Sequence, residues 1–333
     1  MTGRCRPPSS IEVARVAGVS QSAVSRTFTP GASVSAETRA KVKAAADALG
    51  YRPNLIPRIM LTDRSGIVAV VVGGFYNPFH AMTLEAFARA LRAAGKQVML
   101  VQVESDRALD EVVGELSAYR VDAVVSALSI HAQDVADALS AFRIPIVTLN
   151  SAITTEWIRT VSSDNEGAGE AAAALLYERG GRRFGYIAGP QDSIAQTRRE
   201  AGFRRGLARL GVGQCASSCG NYDHGGGYAA IREMFAGDAP PDALFCVNDL
   251  TALGAIDALR IEFGLQCPTD VLVVGYDNIA AAAWPAYQLT TFDQNVEEMV
   301  ARAIDMIDAD LAGTASCDIV QPMLVERSTT QRA

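Results

Sequence analysis

The chain has 333 residues, 49% hydrophobic and 20% charged, with a net charge of −7; that length predicts two or three folded domains and excludes a largely disordered chain. There is no uninterrupted apolar run of about 18 residues to span a membrane, and the opening MTGRCRPPSS lacks the apolar stretch of a secretory signal. Six scattered cysteines without a C-x-x-C pair argue against a disulfide framework or a zinc site, so the expectation is a cytoplasmic protein with no metal and no cofactor.

Charge divides unevenly along the chain. Residues 1–65 carry ten Lys/Arg against four Asp/Glu, a net of +6; the remainder carries twenty against thirty-three, a net of −13. A small basic end on a large acidic body predicts an anionic polymer as the partner of that end alone.

In chain order, Ser10 is the expected cap of a first helix running to about Ala17, with Val13, Ala14 and Ala17 on its inner face. Gly18 supplies a tight turn, Val19 plugs the angle, and Ser20 caps a second helix that buries Ala23, Val24 and Thr27 or Phe28. Gln21, Ser22, Ser25 and Arg26 then point outward. Such a pair of helices is a helix-turn-helix, whose second helix fits the major groove. Gln21 can pair with a base edge, Arg26 with guanine or a phosphate, and the two serines with either. A third helix follows, capped by Ser35 and stopped at Gly50, with Val42, Ala45, Ala46 and Leu49 as its apolar stripe.

The ungapped series A-G-V-S-x-x-x-V-S-R, V-S-x-x-T-R-x-x-V and L-G-Y-x-P-N, within Val13 to Asn54, resembles the DNA-binding head of the lactose-repressor/galactose-repressor family of bacterial transcription regulators. The resemblance implies a homodimer that reads near-palindromic operator DNA, with Gln21, Ser22 and Arg26 at base-reading positions, Ser25 on phosphate, and Ser20 in the DNA-facing set. It also implies a hinge helix over 54–65, capped by Asn54, with Met60 as the apolar wedge entering the minor groove. Pro57 departs from the family's usual alanine but falls where the helix has no amide bond to lose.

From Gly66 apolar runs such as GIVAVVV, QVMLVQV, DAVVSA and IPIVTLN alternate with amphipathic segments, and the rhythm restarts at FGYIAGP. That pattern predicts two doubly wound lobes of parallel sheet buried on both faces. The expected fold is therefore an all-α helix-turn-helix head (1–53), the hinge, and an α/β two-lobed body (66–333). The body resembles the periplasmic-binding-protein-like fold that the same family carries, which implies lobes of about 66–181 with 292–315 and about 182–290 with 316–328.

Ligands of open α/β sheets bind at the carboxyl ends of strands, which selects Asn77, Phe79, Ser126 and Asp164. The resemblance adds Arg199 in SIAQTRREAGF as the effector-binding arginine, Tyr222 as a stacking aromatic, and Asn248 and Asp277 as partners of ligand hydroxyls. It favours a sugar-like effector, with a nucleobase second because Phe79 and Tyr222 could stack on it. DHGGGY does not have the form of a phosphate loop, the three histidines are dispersed, and Asp249 reads as a helix cap. No feature calls for catalysis, so the reading is a small-molecule-controlled DNA-binding repressor and not an enzyme. The alternative is a solute-binding protein without DNA binding.

Overall fold

The computed structural model describes residues 7–29, 31–53, 64–73, 77–103, 109–127, 129–130, 132–308 and 315–331. The chain separates into two units, Met1–Ser65 and Gly66–Ala333. Among the described residues no helix is long and apolar enough to cross a membrane.

The first unit holds α1 (Ser10–Ala17), α2 (Gln21–Phe28) and α3 (Ala36–Leu49). The cap of α1 is Ser9, one residue earlier than expected. Ser9 Oγ accepts from the Glu12 amide at 3.3 Å while the Ser9 amide donates to Glu12 Oε2 at 2.7 Å, a reciprocal capping box that the S-x-x-E spacing selects. Gly18 sits at φ +67° and returns its N–H to the Ala14 carbonyl, a left-handed turn that a side chain would strain. Val13, Val24, Val42, Ala45 and Ala46 close a small core. Leu49 is not in it: it is exposed, and Tyr51 takes its place, packing against Phe28. The left-handed Gly50 cap turns the chain back, and the Tyr51 amide bonds to the Ala46 carbonyl at 2.8 Å.

The second unit opens with β1 (Ile67–Val72), α4 (Pro78–Ala93), β2 (Gln97–Gln102), α5 (Leu109–Ala118), β3 (Ala123–Ser126), α6 (Gln133–Ala141), β4 (Ile146–Leu149) and β5 (Ile158–Ser163). With β11 (Cys317–Val320) these strands form a six-stranded parallel sheet in the order β11-β5-β4-β3-β1-β2. A second parallel sheet, β7-β6-β8-β9, combines β6 (Phe184–Ala188), β7 (Cys215–Cys219), β8 (Ala243–Cys246) and β9 (Leu272–Val274). A short antiparallel pair, β10 (Thr291–Asp293) and β12 (Met323–Val325), completes the second lobe.

Apolar patterning reveals neither β5 nor β7. Every residue of β5, IRTVSS, is buried although four of its six are polar, and tertiary partners take up Arg159, Thr160 and Ser163 but not the Ser162 hydroxyl. Arg159 Nη1 donates to the Met306 carbonyl at 2.7 Å and Thr160 Oγ1 to that of Thr148 at 3.2 Å. Strand β7, CASSC, is a half-exposed edge of small residues. In the first sheet the edges β2 and β11 are likewise partly exposed, so burial on both faces holds for the inner strands and for the edge strand β9 only.

The lobe crossings also fall elsewhere than expected. The helix α7 (Asn165–Glu178) buries Ala172, Leu175 and Leu176 with Phe184, Tyr186 and Phe203 of the second lobe. The first crossing therefore lies near 164 and not near 181. Helix α7 lies so close to α8 (Ile194–Arg209) that a Cβ on Gly169 would stand 2.3 Å from the Arg199 carbonyl and one on Gly202 2.1 Å from that of Glu166. The glycines of DNEGAGEAA and REAGF are there for this approach. The chain crosses again between β10 and the helix α11 (Val296–Asp308), which packs Met299, Val300 and Ala303 onto the first sheet. The last crossing follows Val320 instead of preceding 316, because β11 pairs with β5.

Candidate functional site

In the first unit the outer face of α2 carries Gln21, Ser22, Ser25 and Arg26, all exposed. Ser20 is the cap, its Oγ accepting from the Ala23 amide at 3.3 Å and lying 2.9 Å from Ser22 Oγ. Gln21 Nε2 donates to Ser10 Oγ at 3.0 Å, tying the first turns of α1 and α2 together. The arrangement is a rigid polar helix face with one cation near its end. Asn54, Pro57 and Met60, and with them the expected hinge, lie outside the described residues.

In the second unit a cavity of about 130 Å³ opens where the carboxyl ends of the two sheets meet. It forms there because in each sheet the chain winds outward from a central strand on both sides, leaving a crevice that no connection covers. Five of the eight expected residues line it: Asn77 and Phe79 after β1, Arg199 on α8, Tyr222 after β7, and Asp277 after β9.

Arg199 is 3% exposed, and its Nε donates to Asn165 Oδ1 at 2.7 Å and its Nη1 to the Val247 carbonyl at 2.5 Å. Its guanidinium carbon lies 3.6 Å from the centre of the Tyr276 ring. Burial works against its charge, but Tyr276, Tyr222 and Asp277 outweigh that and hold the pKa above its ordinary value. Asp277 is pushed up to about 6, by burial first, against the opposing pull of Arg199 and hydrogen bonds from Gln294 and Asn77. The Gln294 bond measures 2.7 Å.

Asp277 adopts φ +112°, a strained backbone for a non-glycine residue. Neighbouring bonds hold it there: its amide to the Phe292 carbonyl at 2.8 Å, and Asn278 between Asp293 and Arg327 at 2.8 and 2.7 Å. Asp249 supports the same turn, its two oxygens accepting from Thr291 Oγ1 at 2.6 Å and the Ile279 amide at 2.9 Å. It is thus a buried brace and not the helix cap that the sequence suggested.

Three expected residues do not reach the cavity. Ser126 ends β3 with no exposure, one residue short of the lining Ala127. Asp164 caps α7, accepting from the Gly167 amide at 2.9 Å, and faces a separate cavity. Asn248 caps α10 (Asp249–Glu262) and supports the site from behind, donating to the Tyr222 carbonyl at 3.2 Å.

The cavity also takes His80, Ser129, Asn150, Ser193 and Gln294, none of which was anticipated. Asn150 was within reach, since it directly follows the apolar strand IPIVTL, and Gln294 closes the segment LTTFDQ. Ser193, His80 and Ser129 gave no signal. Ser193 Oγ lies 2.6 Å from Tyr222 OH, fixing the ring. Burial lowers the pKa of His80, so a neutral imidazole faces the cavity.

Two buried atoms on this wall, His80 Nδ1 and Gln294 Oε1, have no hydrogen-bond partner among the described residues. Buried polar atoms are normally paired, so a ligand bearing hydroxyl or N–H donors would complete them. With Arg199 and Asp277 at one end and Phe79 and Leu149 as apolar surface, the site suits a polar ring. Among the described residues no group of three His, Cys, Asp or Glu could hold a metal.

Comparison with known proteins places residues 11–54 in the profile of bacterial regulatory proteins of the lacI family, and residues 173–330 in that of the periplasmic binding protein-like domain. The HTH-type transcriptional regulator CelR of Thermobifida fusca is 34% identical over 321 residues, covering 92% of this chain and 94% of CelR. Among solved structures, the Lac repressor dimer bound to operator and the anti-inducer ONPF superposes with a TM-score of 0.88 at 26% identity, covering 98% of this chain and all of that one. The complex of the transcriptional regulator CelR with cellobiose gives 0.71 at 31% identity, covering 97% and 99%. These likenesses to regulators, together with the matched head, set aside both the solute-binding alternative and an enzymatic reading.

Proposed function

The chain belongs to the lacI family of bacterial regulatory proteins and is a DNA-binding transcriptional regulator, and from that premise we propose how it works. A head of residues 1–53 reads operator DNA as a homodimer through Ser20, Gln21, Ser22, Ser25 and Arg26. Residues 54–65 form the hinge, with Asn54 and Met60 on the DNA. The body, 66–333, binds a neutral, hydroxyl-rich effector of the sugar class between its lobes and represses transcription in the cytoplasm. Arg199 and Asp277 orient the ring, Asn77 and Gln294 bond its hydroxyls, and Phe79 and Tyr222 cover its faces.

The observation that carries this reading is the orphaned acceptor Gln294 Oε1, 2% exposed on its residue, beside the buried and mutually compensating charges of Arg199 and Asp277. A charged ligand would upset that pair, whereas a hydroxyl donor completes it. CelR, a relative with a known cellobiose complex, makes a saccharide the first class to test.

Thermal-shift screening of the full chain against mono- and disaccharides and nucleobases tests it, because a ligand that binds only the folded state raises the midpoint by mass action. A saccharide shift that disappears in Arg199→Ala, with the variant's fold checked by circular dichroism, is the expected result. Shifts by nucleobases alone, or a saccharide shift that Arg199→Ala leaves intact, would remove this assignment.

A further inference from the structure

A second cavity, of about 370 Å³, lies beside the strands on which the chain crosses between lobes. Both lobes wall it: Ser162, Ser163 and Cys317 come from β5 and β11, and Asp164, Glu166 and Arg198 from the starts of α7 and α8. It is separate from the cleft described above. The adjacent residues Arg198 and Arg199 send one guanidinium to each cavity.

Of the charged side chains on and behind this wall, Arg198 is the one left without a direct partner among the described residues. Asp164 is engaged as the cap of α7, and Glu166 Oε2 is paired with Arg205 at 2.5 Å. Arg205 and Arg209 in turn share Glu170. Arg198 has no hydrogen-bond or ion-pair partner among the described residues.

The wall also carries an unsatisfied group. Ser162 is 1% exposed and its hydroxyl has no partner among the described residues, although its strand neighbour Ser163 is bonded to Tyr276 OH at 2.7 Å. A buried hydroxyl left unpaired is destabilising unless something supplies the missing bond. An unpaired cation and a waiting buried hydroxyl are together the recognition chemistry of an oxygen anion.

We infer that this hinge cavity binds a small molecule through a carboxylate or phosphate group, paired with Arg198 and accepting from the Ser162 hydroxyl. Because its walls belong to both lobes, its occupancy biases the angle between them and so couples to the main cleft. The inference stands whether or not the main cleft takes a sugar, and its test needs neither operator nor effector.

Calorimetric titration of the full chain in phosphate-free buffer, with inorganic phosphate in one arm and acetate in the other, reads the site. Saturable binding in either arm is expected, and the arm that binds identifies the group. Arg198→Gln weakens that binding by about tenfold or more, as loss of a charged hydrogen bond does, and Ser162→Ala weakens it by a smaller factor. Thermal midpoints of both variants verify folding; should Arg198→Gln fold poorly, Ser162→Ala decides. Absence of saturable binding in both arms, or binding that the folded variants leave unchanged, overturns the inference.

Discussion

Asp277→Asn is the most informative single change in the main cleft, because it alters charge while keeping shape and the acceptor that Gln294 Nε2 uses. Burial lifts the Asp277 carboxyl from 3.8 to about 6. At about 1.4 kcal/mol per pKa unit, that rise corresponds to about 3 kcal/mol. The sign follows from proton binding: a carboxyl raised on folding holds its proton more tightly in the native state than in the unfolded chain. Its contribution is therefore fully present below about pH 4 and is lost as pH climbs through about 6. Asn at this position has no proton to lose. Urea unfolding of both proteins from pH 4 to pH 7.5, with slopes checked for equality, should show the variant gaining about 2–2.5 kcal/mol on the wild type across that range. Parallel stability curves, separated by a constant amount, would refute the account of Asp277 as a buried, strained acid. The same titration predicts weaker effector binding by the wild type below pH 6, where Asp277 can no longer accept a ligand hydroxyl with full charge.

The other predictions concern packing and the head. Gly202→Ala places a Cβ 2.1 Å from the Glu166 carbonyl, so α7 and α8 must separate; a loss of about 1–3 kcal/mol or more in chemical unfolding is expected, and an unchanged midpoint would contradict the close approach. Arg26→Ala should weaken operator binding by about 1–3 kcal/mol in a fluorescence titration while leaving thermal stability unchanged, because Arg26 is exposed and braces nothing beyond its own helix. Ser9→Ala removes the capping box and should destabilise the head by about 1 kcal/mol, read as earlier loss of amide-exchange protection in α1. Ser10→Ala should have a smaller effect, since Ser10 is not the cap.

The head was legible almost residue by residue, because its information is local. Three short helices, a left-handed glycine between them and a handful of apolar positions all fall within about forty residues, so periodicity and caps suffice. Even there the misplacements are instructive. Ser9 displaced Ser10 because the reciprocal bond with Glu12 outweighs a lone cap, and Tyr51 displaced Leu49 because the turn at Gly50 reverses the chain beyond the last helical residue.

The body's class was legible too, since inner strands of a parallel sheet must be apolar on both faces. Patterning has no access to polar groups whose partners lie far away in the chain. Strand β5 is polar in sequence yet wholly buried, because Thr148 and Met306 accept its side-chain bonds. The lobe to which α7 belongs is settled by its glycine contact with α8, not by its own composition. The cleft is the extreme case: Asn77, Arg199, Asp277 and Gln294 span more than two hundred positions and meet only because two sheets bring their carboxyl ends together. By itself the sequence determined the helix-turn-helix and the two-lobed class, while Arg199 and Asp277 were pointed to only by resemblance to the family. Only the tertiary structure decided which strand-end side chains face the cavity and which merely cap a helix, because a turn of one residue redirects a side chain and the direction of that turn depends on bonds to distant segments.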